Sequence, residues 1–210
     1  MRTALQTLAT YLLAFVSTSA LASAPSSSQL TNLLGSAPNP RAIHTASIEE
    51  NNTIAVSNDL AMKGQLGEAI KKLQTAQASA RSPFYDQALA MLFEQSDQQA
   101  KAIEHYKAAI AKNANFGLAH RSLAIALYRS SQPDYQIAAA HFASAYENGH
   151  RSKRDLNFMG QCYLNLSKFA EAEAIFKKAL EQDANDSRIK AFLSYALKAQ
   201  GKSSEAAQYE

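Results

Sequence analysis

The sequence predicts an all-α chain, a solenoid of stacked helix-turn-helix repeats. The first observation behind this is a recurring signature, Ala-x3-[aromatic or Leu]-x2-Ala. It occurs at Ala69, Leu73, Ala76; at Ala102, Tyr106, Ala109; at Ala138, Phe142, Ala145; and at Ala172, Phe176, Ala179, in steps of 33, 36 and 34 residues. The second is a large-small-large triplet ahead of each signature: Val56, Ser57, Leu60; Leu89, Ala90, Phe93; Leu123, Ala124, Leu127; Met159, Gly160, Tyr163; and again Leu193, Ser194, Leu197. The third is composition: 47% hydrophobic residues, no Trp, and only 7 Gly and 5 Pro in 210 residues suit a mostly helical chain.

Residues recurring at three- and four-residue steps share one face of a helix. In 153–186, Leu156, Met159, Gly160 and Tyr163 form one such face, and Ala172, Ile175, Phe176, Ala179 and Leu180 form a second. Gly160 and Ala172 stand where larger side chains would hold the two helices apart. Ser167 precedes the second run and is expected to cap it. One amphipathic pair cannot bury both of its faces, so each copy requires neighbours.

The 153–186 copy, with L-x2-M-G-x2-Y followed by A-x3-F-x2-A, resembles the tetratricopeptide repeat, a 34-residue helix-turn-helix of pattern W-x2-L-G-x2-Y, then Ala-x3-Phe, then Pro. The resemblance implies a right-handed α-solenoid over residues 49–210, with repeats at about 50–82, 83–116, 117–152 and 153–186 and a partial one at 187–210. Two departures stand out. The Trp position holds Thr53, Asp86, His120, Leu156 and Lys190, and the closing Pro is absent throughout.

Taken in order, residues 1–22 read as a secretory signal peptide: Arg2 supplies the positive start, 5–16 the apolar stretch and Ala20-Leu21-Ala22 the cleavage site. The alternative is a retained membrane anchor. Residues 23–48, rich in Ser, Ala, Pro and Asn, read as a flexible linker in which the piece S-Q-L-T-N-L-L-G can form a helical turn or two. The first pair of helices is then expected over 50–62 and 66–80, turning at Lys63-Gly64. The second is expected over 83–95, with Pro83 at its first position, and 97–112, behind a Ser96–Gln99 capping box. The third covers 117–129 and 133–148, its two extra residues falling in the 130–134 turn. Asn148-Gly149 closes it as a left-handed cap. The fifth copy has a first helix at 187–200 and a short remainder, readable as a small covering helix or as a surface for self-association.

Chemistry is sparse. His44, His105, His120, His141 and His150 lack metal-ligand spacing, so no metal is expected. His105 and His141 occupy equivalent positions, beside Tyr106 and Phe142, and read as surface residues of the repeat. The single cysteine, Cys162, cannot form an internal disulfide and is expected to be buried, with a redox or intermolecular role as the alternative. Hydrolase elbows and phosphate-cradling glycine loops are missing, and acids such as Glu171 and Glu173 read as solvated helix residues. No catalytic residue and no cofactor is expected.

The resemblance implies instead a concave groove lined by the first helices, formed by Asn51, Ile54 and Asn58; Phe84, Gln87 and Met91; Leu118, Arg121 and Ile125; Arg154, Asn157 and Gln161; and Arg188, Ala191 and Tyr195, with Tyr128 and Arg129 at the rim. Arg121, Arg154 and Arg188 recur at repeat spacing and can meet carboxylates bidentately. Some family members clamp a terminal carboxylate with Lys and Asn, but Ile54 stands where that clamp needs Lys. The expected partner is a protein or extended peptide bearing acidic groups. With a formal charge of +3, nucleic acid is not expected, and membrane contact is expected only if the leader is retained. The expectation is a non-catalytic periplasmic scaffold, similar to exported repeat proteins that serve envelope assembly or transport. An anchored assembly factor and an accessory module of an enzyme complex stand as alternatives.

Overall fold

A computed structural model describes residues 47–75 and 82–210. The leader, most of the linker, His44, Ala76 and the end of the second helix lie outside them. The described residues form α1 (Ile48–Met62), α2 (Leu66–Gln74), α3 (Pro83–Gln95), α4 (Gln99–Lys112), α5 (Gly117–Tyr128), α6 (Tyr135–Glu147), α7 (Lys153–Asn165), α8 (Phe169–Leu180), α9 (Ser187–Ala199) and α10 (Ser203–Ala206), then a 3-10 turn, Ala207–Tyr209. There is no strand among the described residues, and no described helix is long and apolar enough to cross a membrane. The fold is an all-α repeat solenoid.

Each odd-numbered helix pairs with the next even one, which packs in turn on the first helix of the following repeat. First helices also touch their successors, α1 with α3, α5 with α7 and α7 with α9, whereas no two successive second helices pack to that degree. The first helices therefore sit on the inside of the curve. Behind them, the signature residues form the interior: Ala69, Ala102, Ala138 and Ala172 are all fully buried, and Leu73, Tyr106, Phe142 and Phe176 fill the adjoining space. Residues shared between adjacent core clusters, such as Leu127, Tyr163 and Ile175, join the interior along the stack.

Val56 departs from the expected triplet. Its equivalents Leu89, Leu123, Met159 and Leu193 are buried, yet Val56 is 48% exposed, because no second helix precedes α1 among the described residues. Several helix starts are capped by side chains. The Oγ of Ser47 accepts from the Glu50 N–H while the Glu50 carboxylate accepts from the Ser47 N–H, a capping box whose sequence signal is S-x-x-E. Asp134, Ser152 and Asp186 cap α6, α7 and α9. Pro133 consequently lies outside α6 rather than within it.

The turn inside each hairpin corrects two expectations. Ser96–Gln99 forms no capping box: Ser96 Oγ donates to Phe93 O, and Gln98 precedes α4 without a side-chain cap. Ser167 caps nothing either. Both turns instead need a left-handed residue, Asp97 (φ 58°) or Ser167 (φ 56°), where equivalent turns have Gly64 (φ 81°) and Gly201 (φ 77°). This geometry lets the next N–H reach back five residues, as Lys168 N does to Tyr163 O at 2.9 Å. A Cβ disfavours that conformation by about 1 kcal/mol. Ser167→Gly is therefore expected to raise the melting temperature by a few degrees, read by circular dichroism.

The fifth unit ends in a short helix whose Ala206 is buried with Tyr209 packed beside it. Glu173, expected to be a solvated acid, holds this end in place. Its carboxylate accepts from Lys177 Nζ at 2.5 Å, from Lys202 Nζ at 2.8 Å and from Gln200 Nε2 at 2.9 Å. The hydrogen bonds from Lys177 and then Lys202 hold its pKa down at about 2, against the smaller opposing effect of burial. The spacing of helix acids alone could not reveal a tie to the loop after α9.

Candidate partner-binding groove

The inner face is built from first helices, and the residues proposed for it fall into two groups. In the first group, side chains bond across to the next repeat. Gln87, only 4% exposed, donates from Nε2 to Ser122 Oγ at 3.0 Å, and its carbonyl oxygen has no partner. Arg121 donates from Nε to both carboxylate oxygens of Asp155, at 2.9 and 2.7 Å. Tyr128 donates to Gln161 Oε1 at 2.8 Å, and Gln161 Nε2 in turn donates to Asn157 at 3.2 Å. Ile54 is buried in the core of the first repeats. Gln87, Arg121 and Tyr128 thus tie successive first helices together, with Asn157 holding Gln161 within its own helix, and Arg121 is not the free cation that its spacing suggested.

The second group reaches the surface of the first helices to differing degrees, with Met91 and Ile125 also packed on the core. Arg154, Arg188 and Tyr195 are exposed, while Met91 and Ile125 are partly so. Tyr195, at 58% exposure, has its ring edge against Phe169. Arg154 lies over the Phe158 ring at 5.7 Å, and Arg129 approaches the same ring at 6.0 Å from the end of α5. Phe158 was not anticipated as a groove residue. Its signal is present as an aromatic four residues after Arg154 on one helix face.

The Trp position of the repeat contains a second surprise. Asp86 and His120 are buried there, and each meets the equivalent histidine of its second helix. His105 and His141 are therefore half-buried inter-helix contacts, not surface residues. Asp86 accepts from Lys112 Nζ at 2.5 Å and contacts His105 Nδ1 at 3.0 Å. Burial alone would raise its pKa, but the hydrogen bonds from His105 and Lys112 and their charges outweigh it, and the net direction is down. In the next repeat His120 Nε2 lies 3.0 Å from Ala114 O. A carbonyl only accepts, so Nε2 carries the proton in neutral His120, and His141 Nδ1–H donates to its bare Nδ1 at 2.9 Å.

Burial first, then the nearby charges of His120 and Lys107, push the His141 pKa below its ordinary value. His150, packed near Arg121 and Asp155, is also lowered, by burial and then by Arg121, with Asp155 opposing. Both imidazoles are thus biased toward the neutral form in the folded chain. Stability is expected to be full above pH ~6.5, the unfolded value, and to fall as pH drops through the lower folded values. The limit is about 1.4 kcal/mol per pH unit for each histidine. Chemical denaturation between pH 7 and 5 should show this slope, and His141→Asn, which keeps a donor near Nδ1, should flatten it.

Cys162 is fully buried and unpaired, and burial pushes its thiol up to about 12, so it stays a neutral packing group. No group of three or more His, Cys, Asp or Glu side chains among the described residues is placed to hold a metal ion.

No family model matches the sequence, and no curated protein matches it. Solved structures do resemble the fold. MamA AMB-1 is 19% identical, with a TM-score of 0.67 over 77% of this chain and 88% of that one. MamA MSR-1 is 20% identical, with a TM-score of 0.63 over 78% and 93%. The MamA RS-1 ArsTM double mutant is 13% identical, with a TM-score of 0.65 over 79% and 92%. At such identities the likeness concerns architecture alone. Together with the hairpins, buried signature alanines and inner first-helix face, it identifies the fold of this chain as a tetratricopeptide-repeat solenoid.

Proposed function

We propose that the protein is a non-catalytic scaffold of the periplasm whose inner face binds a protein partner through an extended segment, in an envelope assembly or transport complex. The observation that carries this reading is the groove itself. Its first helices are fixed by their own cross-repeat bonds, which leaves Arg154, Arg188 and Tyr195 exposed, beside Met91 and Ile125, which pack on the core and reach the surface only in part. Such a surface is preorganised, so binding needs little ordering of the protein.

The leader-like composition of residues 1–22 and the lone, buried Cys162 support export without a disulfide framework. Two measurements test the two halves of the reading. N-terminal sequencing of the protein from the cell envelope should give Ser23, whereas Met1 with membrane retention would favour an anchored assembly factor. Photocrosslinkers placed at Ile125 and Tyr195 should capture the same partner in intact cells, identified by mass spectrometry. Labelling of unrelated proteins by the two positions, with no common product, would refute the groove.

A further inference from the structure

Several of the cations along the stack are paired within it. Lys112, Arg121, Lys153, Lys177 and Lys202 each hold a carboxylate. Arg129 and Arg154 do not: both are exposed, and neither forms an ion pair among the described residues. They are nevertheless placed, since both guanidinium carbons lie within 6.0 Å of the centre of one ring, Phe158. The ring is itself held from the protein side, 5.1 Å from Tyr128 and 6.0 Å, nearly parallel, from Phe142. Tyr128 is fixed in turn by its hydrogen bond to Gln161.

The donors of a guanidinium lie in its plane. When an aromatic ring occupies its face, those N–H groups remain available at the edge, with less side-chain freedom to lose on binding. Arg129 comes from the end of α5 and Arg154 from the start of α7, so the pair bridges two repeats across the groove. Alternate residues of an extended peptide project to the same side at a spacing of roughly 7 Å. Two carboxylates so spaced fall within the span open to two guanidiniums that each lie within 6.0 Å of one ring centre.

We infer that the Arg129–Phe158–Arg154 cluster is the groove's contact point for an extended acidic peptide, taking carboxylates from alternate residues. This rests on the reading of the groove as a peptide site and adds which residues read the charge. Arg188, exposed one repeat further on, extends the cationic track toward the end of the stack.

The test uses the full chain and a fluorescent peptide of alternating Glu and Gly, followed by anisotropy, with a Gln-for-Glu peptide and a thymidylate oligomer as competitors. The Glu peptide should bind, weaken with added salt and resist competition by the Gln peptide. Arg129→Gln with Arg154→Gln should weaken it by ~10-fold or more with an unchanged melting curve, and the double Lys variant should recover only part of the loss. Unchanged affinity in the Gln double variant, alongside loss of binding in Ile125→Glu, would overturn the cluster and leave the groove standing. Equal binding of the Gln peptide, or no binding of the Glu peptide, would also overturn the cluster. Binding of a labelled thymidylate oligomer that is lost in the Gln double variant, with no binding of either peptide, would overturn cluster and groove together.

Discussion

Arg121→Ala is expected to cost about 2–4 kcal/mol of unfolding free energy, a large share of the stability of a domain this size. Asp155 is only 5% exposed, and both of its carboxylate oxygens accept from Arg121 Nε. Removing the cation leaves a buried carboxylate uncompensated, which is far costlier than losing a surface ion pair. Partial access of water at Arg121, whose side chain is 23% exposed, sets the lower end of the range. Urea denaturation gives the number. The double variant with Asp155→Ala should lose less than Arg121→Ala alone, since the stranded charge is then gone. An Arg121 that served only a ligand would leave the denaturation midpoint where it was.

Gly160→Val is expected to be at least as damaging, for a steric reason. A Cβ at Gly160 would lie 2.5, 2.6 and 2.9 Å from Cε1, Cζ and Cδ1 of Phe176. The ring cannot swing clear, because Phe176 is fully buried and stacked on Phe192 at 5.6 Å. Even Gly160→Ala should destabilise by about 1–3 kcal/mol through overpacking, although alanine is the better helix former by about 1 kcal/mol. Combining Gly160→Ala with Phe176→Leu should return part of that loss, because the smaller side chain vacates the space the new methyl needs. A thermal melt that ranks the double variant below both single ones would show that the two helices do not meet through this pair.

The repeat was legible because it rests on few residues and strict spacing. Among the described residues, the signature alanines and the aromatic or leucine between them are buried as expected, and Gly160 does permit the close approach read from its size. Polar exceptions were not legible. Asp86 and His120 stand where the family pattern has an aromatic, and sequence alone marks them only as departures. Their partners, His105, Lys112 and His141, lie 19 to 26 residues away on another helix. Which side chains of the first helices bond one another depends on the stagger between successive first helices, which residue spacing does not give. That stagger turned Arg121 toward Asp155 and left Arg154 on Phe158. Ser96 and Ser167 misled for a local reason: serine before an apolar run suggests a cap, whereas these hairpins turn through a left-handed residue.

The contact between the Trp position and the second helix of the same hairpin differs in kind along the stack: Asp86 with His105, His120 with His141, and apolar Leu156 in one cluster with Ile175. Each hairpin is therefore internally matched and cannot exchange halves with its neighbour. A chimera splicing α3 to α8 would set Asp86 against Ile175 with no counter-ion, while one joined at the loops between hairpins would keep every match. Evolution by duplication, or a laboratory shuffling of this protein, thus has its permissible seams between hairpins and not within them.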